Sequence, residues 1–219
     1  MRKRQSGFTL VEIAIVLVII GLLLGGVLKG QELINSAKVK NLANDFRNIA
    51  TFVYAYQDKF RALPGDDAAA AAHVGGTGAT TNGTPGNARI EGAWNSVTTT
   101  DESYLFWQHV RLAGLATGTT TTGIPDYLPR NTDGGRIGVT GNAVFTGAGA
   151  WAANFFICSS GIQGRFARQL DTTIDDGNTA TGTVRVLGTN AGGELPTSPM
   201  VYQVTAADDA TLFTICMAN

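Results

Sequence analysis

From Phe8 to Leu28 every position except Thr9, Glu12 and three glycines is apolar, and Glu12 is the only charge in those 21 residues. As a helix the run is about 31 Å long, enough to cross the hydrocarbon core of a bilayer. The pattern then changes without breaking. Leu42, Phe46, Ile49, Val53, Tyr56 and Phe60 recur at alternating spacings of four and three, with Lys40, Asn44, Asp45, Arg47, Asn48 and Asp58 between them. This is one apolar stripe on an amphipathic helix. Phe8 to Phe60 therefore reads as a single helix of roughly 80 Å. The Leu63-Pro64-Gly65-Asp66 stretch ends it, because Pro and Gly together favour a turn.

Beyond that turn the periodicity weakens. Residues 65–100, rich in Ala, Gly, Thr and Asn, predict a surface loop with a short helix over Asp67–His73 and with Trp94 as an anchor. Asp66 and Asp67 read as residues that cap and solvate the turn, and His73 as a solvated loop residue. A second helical stripe covers Leu105, Phe106, His109, Val110, Leu112 and Ala113, capped by Asp101 or Ser103. Thr117–Gly123 is a Thr-Gly loop. Short β-branched and aromatic runs then predict strands at Arg136–Thr140, Ala143–Thr146, Ala150–Cys158, Thr183–Leu187, Met200–Thr205 and Thr211–Met217. A helix over Ile162–Ile174 separates them. The amphipathic half of the first helix cannot bury its stripe alone, so a sheet must pack on it.

Composition narrows the class. The chain has 219 residues, 16 Lys+Arg against 17 Asp+Glu, and two histidines. Charged residues are only 15%, while Gly reaches 28, which suits an exported, loop-rich β domain better than a cytosolic enzyme. The basic residues cluster at Arg2-Lys3-Arg4 and again at Lys29, Lys38 and Lys40, on either side of the apolar run. No basic patch lies elsewhere, which argues against nucleic acid as a partner. No G-x-S-x-G, H-E-x-x-H or P-loop occurs, and two histidines in loop and packing roles leave few general bases. The chain does not read as an enzyme, and no cofactor is implied.

Arg2-Lys3-Arg4 before an apolar run looks like a secretory signal, yet no small-residue cleavage site follows Leu28. The small-residue junction is Gly7-Phe8. Gly7-Phe8-Thr9-Leu10-Val11-Glu12, behind a short basic leader, resembles the type IV prepilins and the pseudopilins of type II secretion. The segment from Tyr56 to Asp66 also resembles the helix exit of pseudopilin-like proteins. The resemblance implies that a prepilin peptidase cuts between Gly7 and Phe8 and that Phe8 is N-methylated. Glu12 becomes the fifth residue of the mature chain. The implied fold is α+β: a long N-terminal helix packed on an antiparallel sheet, with one or two further short helices. The implied organisation is a leader over 1–7, a transmembrane and assembly helix over 8–30, its amphipathic continuation over 31–63, and an exported domain over 64–219.

A carboxylate five residues into a span costs roughly 2.5–3.5 kcal/mol on insertion scales. Cleavage would turn the Phe8 amide into an amine whose ordinary pKa near 8 leaves it mostly cationic. A neighbouring subunit's Phe8 amine could then pair with Glu12 and set the stagger between helices. Gly21, Gly25, Gly26 and Gly30 permit close helix approach or local melting. The implied function is a structural subunit of a type IV pilus or pseudopilus-like filament. Its implied partners are the peptidase, other pilin or pseudopilin subunits, and an inner-membrane assembly platform. It would sit single-pass in the bacterial inner membrane, N-terminus cytoplasmic, before entering the filament. Glu12 argues against a tip pseudopilin, and the length against a small major pseudopilin. The alternatives are a filament-associated adhesin that binds ligand through residues 65–100 and 115–135, or a tethered periplasmic domain.

In an exported domain the pair Cys158 and Cys216 forms one disulfide, with two buried thiols as the alternative. A bond between them would contribute roughly 4 kcal/mol in the chain-entropy model. Asp171, Asp175 and Asp176 make the one acidic grouping to weigh for calcium, which some major pseudopilins bind. The EF-hand spacing is missing, and a helix exit and turn is the simpler reading.

Overall fold

A computed structural model describes residues 9–145, 151–188 and 200–219. The first helix, α1, spans Leu10–Phe60. Contacts divide the described chain between Lys38 and Val39. In its apolar half Leu10, Leu17, Leu22 and Leu28 are each at least 63% exposed. C-terminal to it, Val39, Leu42, Ala43, Phe46, Ile49, Val53 and Tyr56 are buried, the stripe that the alternating spacing predicts.

Four strands form an antiparallel sheet in the order β1-β2-β4-β3, with β1 Ile137–Thr140, β2 Phe156–Gln163, β3 Val184–Leu187 and β4 Leu212–Ala218. The fold is α+β and pilin-like. Val139, Ile157, Val184, Val186, Ile215 and Phe213 share one core cluster with the α1 stripe. Their strand neighbours Phe156, Cys158, Leu187 and Cys216 point to the opposite face and pack with Trp94, Val144, Phe145 and Trp151. Period-two alternation thus covers both faces of the sheet. Among the described residues three further helices follow: α2 Ala70–His73, α3 Glu102–Leu112 and α4 Gly164–Ile174.

Two sequence expectations shift for identifiable reasons. The strand predicted over Ala150–Cys158 begins at Phe156 and runs on to Gln163, through Ile162, which reads as helical by spacing. The register slips between Ser159 and Ile162, at Gly161 with φ +71°. A bulge at a residue that tolerates left-handed backbone lets the strand bend and continue. The second shift is at Met200–Thr205, which forms only an isolated bridge from Val201 to Leu187. The Thr179 hydroxyl donates to Tyr202 O and accepts from the Val204 N–H at 2.8 Å, so a side chain takes the bonds that a ladder would need. A 3₁₀ turn, Ala206–Asp208, follows. Ala143–Phe145 forms no strand, and the remainder of that expectation lies outside the described residues.

Candidate functional site

Glu12 stands in the first turn of α1. Its Oε2 accepts from the Thr9 N–H at 2.8 Å and from the Thr9 hydroxyl at 2.6 Å, while the Glu12 N–H donates to Thr9 Oγ1 at 3.2 Å. This reciprocal arrangement is a capping box, in which two backbone donors at the helix start gain partners. The Thr9-x-x-Glu12 spacing carries that signal openly, but a reading of Glu12 for its charge alone passes over it. Gly7 and Phe8 lie outside the described residues. Behind Glu12 the helix presents apolar side chains on every side, and among the described residues it is the one helix long and apolar enough to cross a membrane.

The second constellation is the turn after α1. Gly65, at φ +94°, lies so close to α3 that an added Cβ would be 2.3 Å from Glu102 O. Its N–H donates to His109 Nδ1 at 2.9 Å, which leaves Nε2 to donate to Thr77 O at 2.8 Å. His109 is therefore a neutral, fully satisfied residue, and burial lowers its pKa further. Its packing role is the one expected from the sequence.

Asp66 and Asp67 differ from expectation. Both are buried, at 2% and 1% exposure, rather than solvating the turn. Asp66 accepts from the N–H groups of Gly86, Asn87 and Arg89. Asp67 accepts from the Tyr56 hydroxyl, the Ala69 N–H and His73. Burial alone would raise the Asp67 carboxyl; the bonds from His73, Tyr56 and Ala69 outweigh it and hold the group below its ordinary value. His73 is likewise held, with its ring stacked on Phe60 at 5.3 Å. Side-chain-to-backbone bonds of this kind organise residues 65–100 without any hydrophobic period, which is why that stretch reads as a bare loop.

Cys158 and Cys216 face each other across β2 and β4 and are joined by a disulfide. Asp171, Asp175 and Asp176 converge at the end of α4, with oxygens all within 4.8 Å of one another. Burial, then Asp175 and Asp176, pushes the Asp171 carboxyl up to about 6. Asp175 accepts from the Val184 N–H, and Asp176 from the Asn178 N–H and the Thr181 hydroxyl. Those bonds build the turn expected there.

The model of the prokaryotic N-terminal methylation motif matches residues 2–28. The chain carries a prepilin-type leader. That match joins the basic cluster, Gly7-Phe8, Glu12 and the exposed apolar helix into one signature, that of type IV pilins and pseudopilins. A prepilin-type N-terminus also accounts for the exposed apolar side chains of Leu10–Leu28: such a leader implies processing by a peptidase and assembly with other pilin subunits. No curated protein and no solved structure matches the chain.

Proposed function

We propose that this chain is a structural subunit of a type IV pilus or pseudopilus-like filament. A membrane peptidase cuts it after Gly7, Phe8 is N-methylated, and residues 8–30 hold it in the bacterial inner membrane. The N-terminus faces the cytoplasm and residues 64–219 fold on the far side, where Cys158 and Cys216 oxidise. The subunit then leaves the bilayer for a filament in which the apolar helices bundle at the axis. Open-ended heterologous contacts generate such a helical assembly.

One observation carries this reading. The segment that matches the methylation motif is also the one whose apolar side chains are exposed from Leu10 to Leu28. At about 25 cal/mol per Å², that surface must be covered by lipid or by like helices. A plain tether would satisfy the need with lipid alone, but it gives no reason for the methylation motif over residues 2–28. For the adhesin alternative, a cleft lined by Val97, Tyr104, Ile124, Leu128 and Arg130 draws on both loops expected to carry recognition.

Mass spectrometry of the protein recovered from its native cell tests the proposal. The expected N-terminal peptide begins at a methylated Phe8. A chain that still begins at Met1, or one trimmed beyond Leu28, overturns it.

A further inference from the structure

Four carboxylates gather where residues 81–91 cross the start of α3. Asp66, Asp101 and Glu102 are buried and Glu91 is partly buried, and none of the four has an ion pair among the described residues. Two of them are satisfied by neutral donors. Asp66 takes the backbone N–H groups described above. Asp101 Oδ1 accepts from the Thr81 hydroxyl and the Asn82 amide, and its Oδ2 from the Ser96 hydroxyl.

Glu102 is different. It is 0% exposed; its Oε2 accepts from the Glu91 N–H at 2.7 Å, and its Oε1 is buried with no hydrogen-bond partner among the described residues. That orphaned oxygen is aimed at Gly83, and so is a second carboxylate. A methyl placed on Gly83 would lie 2.4 Å from Glu102 Oε1 and 2.8 Å from Glu91 Oε2. Glu91 Oε2 accepts from the Thr84 N–H and the Asn87 amide, so this loop wraps around the pair from outside. Two carboxylate oxygens thus converge on one glycine, and neither residue is ion-paired to a Lys, Arg or His among the described residues. A buried acceptor left unsatisfied destabilises the fold, and a like charge beside it adds to that. A cation between the two would remove both costs.

We propose that Glu102 and Glu91 bind a hard divalent cation of the calcium class, which fastens residues 81–91 to the start of α3. An all-oxygen donor set selects calcium or magnesium over softer metals. Calcium tolerates the irregular geometry of a loop site, whereas magnesium requires a near-ideal octahedron. The proposal stands apart from the filament reading and from the Asp171 cluster.

The test uses the full chain in detergent, stripped with a chelator and then titrated with CaCl₂ or MgCl₂ while thermal unfolding is followed. At about a hundred times Kd, calcium is expected to raise Tm by roughly 5–10 °C, and magnesium by less. Glu102→Gln is expected to abolish the response. Its calcium-free Tm should equal or exceed that of the unsubstituted chain, because the new amide can donate to Glu91. Glu91→Gln carries the same loss of response, should the first variant fail to fold. Asp175→Asn should keep the full response, which separates this site from the cluster at the end of α4. No Tm shift and no binding heat up to roughly 10 mM calcium, beyond the weak end of extracellular calcium modules, would mean that the two carboxylates share a proton instead. That result, or an undiminished response in both Gln variants, overturns the proposal.

Discussion

The Tyr56 hydroxyl donates to Asp67 Oδ2 at 2.7 Å, with both side chains buried, and so ties the last turns of α1 to the Leu-Pro-Gly-Asp turn that follows. The acceptor is a carboxylate that also holds the Ala69 N–H and His73. A hydrogen bond to a charged group contributes about 1.5–3 kcal/mol. Tyr56→Phe keeps the ring against Phe60 and removes only that bond. The expected outcome is a loss of about 2 kcal/mol, read as a lower urea midpoint with an unchanged slope.

Gly65 and Gly26 predict opposite behaviour for the same substitution. At Gly65 the backbone is left-handed and an added Cβ would collide with Glu102 O, so Gly65→Ala should cost more than 2 kcal/mol and loosen the turn. At Gly26 nothing lies within 4 Å, and Gly26→Ala should leave the unfolding of residues 39–219 unchanged. If the glycines of the apolar half exist for close helix approach, Gly26→Ala lowers the yield of sheared filaments while the protein stays folded.

Glu12 does two things that substitutions can separate. Gln at this position preserves the capping box with Thr9, whereas Ala removes it. If pairing with a neighbour's amine sets the subunit stagger, Glu12→Gln loses filaments as completely as Glu12→Ala. If capping is the whole contribution, Glu12→Gln assembles and only Glu12→Ala fails. Processing at Phe8, read by mass, should be intact in both.

Glu102 and His109 pull stability in opposite directions as pH changes. The Glu102 carboxyl is raised from 4.5 to about 7 on folding, so the folded state holds its proton more tightly. Its contribution to stability is greatest below about 4.5, falls as pH rises to about 7, and is level above. His109 is lowered from 6.5, so its contribution is full above that value and is lost as pH falls through its folded pKa. In chelator, the advantage of Glu102→Gln over the unsubstituted chain should grow from pH 5 to pH 7, by at most about 3 kcal/mol, and then level off. Urea midpoints across that range measure it; a flat difference would remove the assigned shift.

The α1 stripe was legible because burial on one face leaves a spacing of three and four, and the disulfide because the chain holds a single pair of cysteines, both beyond the apolar run. The leader was legible in six residues. What escaped was set by contacts without a period. Gly161 turns an apparent helix start into a bulged strand, and Thr179 intercepts the bonds of a would-be strand at Tyr202 and Val204. Asp66 and Asp67 follow a Pro-Gly turn and Glu102 follows a run of threonines, where acids normally face water; only the folded chain brings backbone donors around them. Thr9 with Glu12 was visible as a capping pair but was outweighed by the question of charge in a membrane.

The bond between Cys158 and Cys216 joins two neighbouring inner strands, so everything from Ser159 to Ile215 hangs from a single clasp. A protease that cuts once within that span sheds nothing. The scarred subunit keeps its mass on a gel run without reductant and splits only when the clasp is opened.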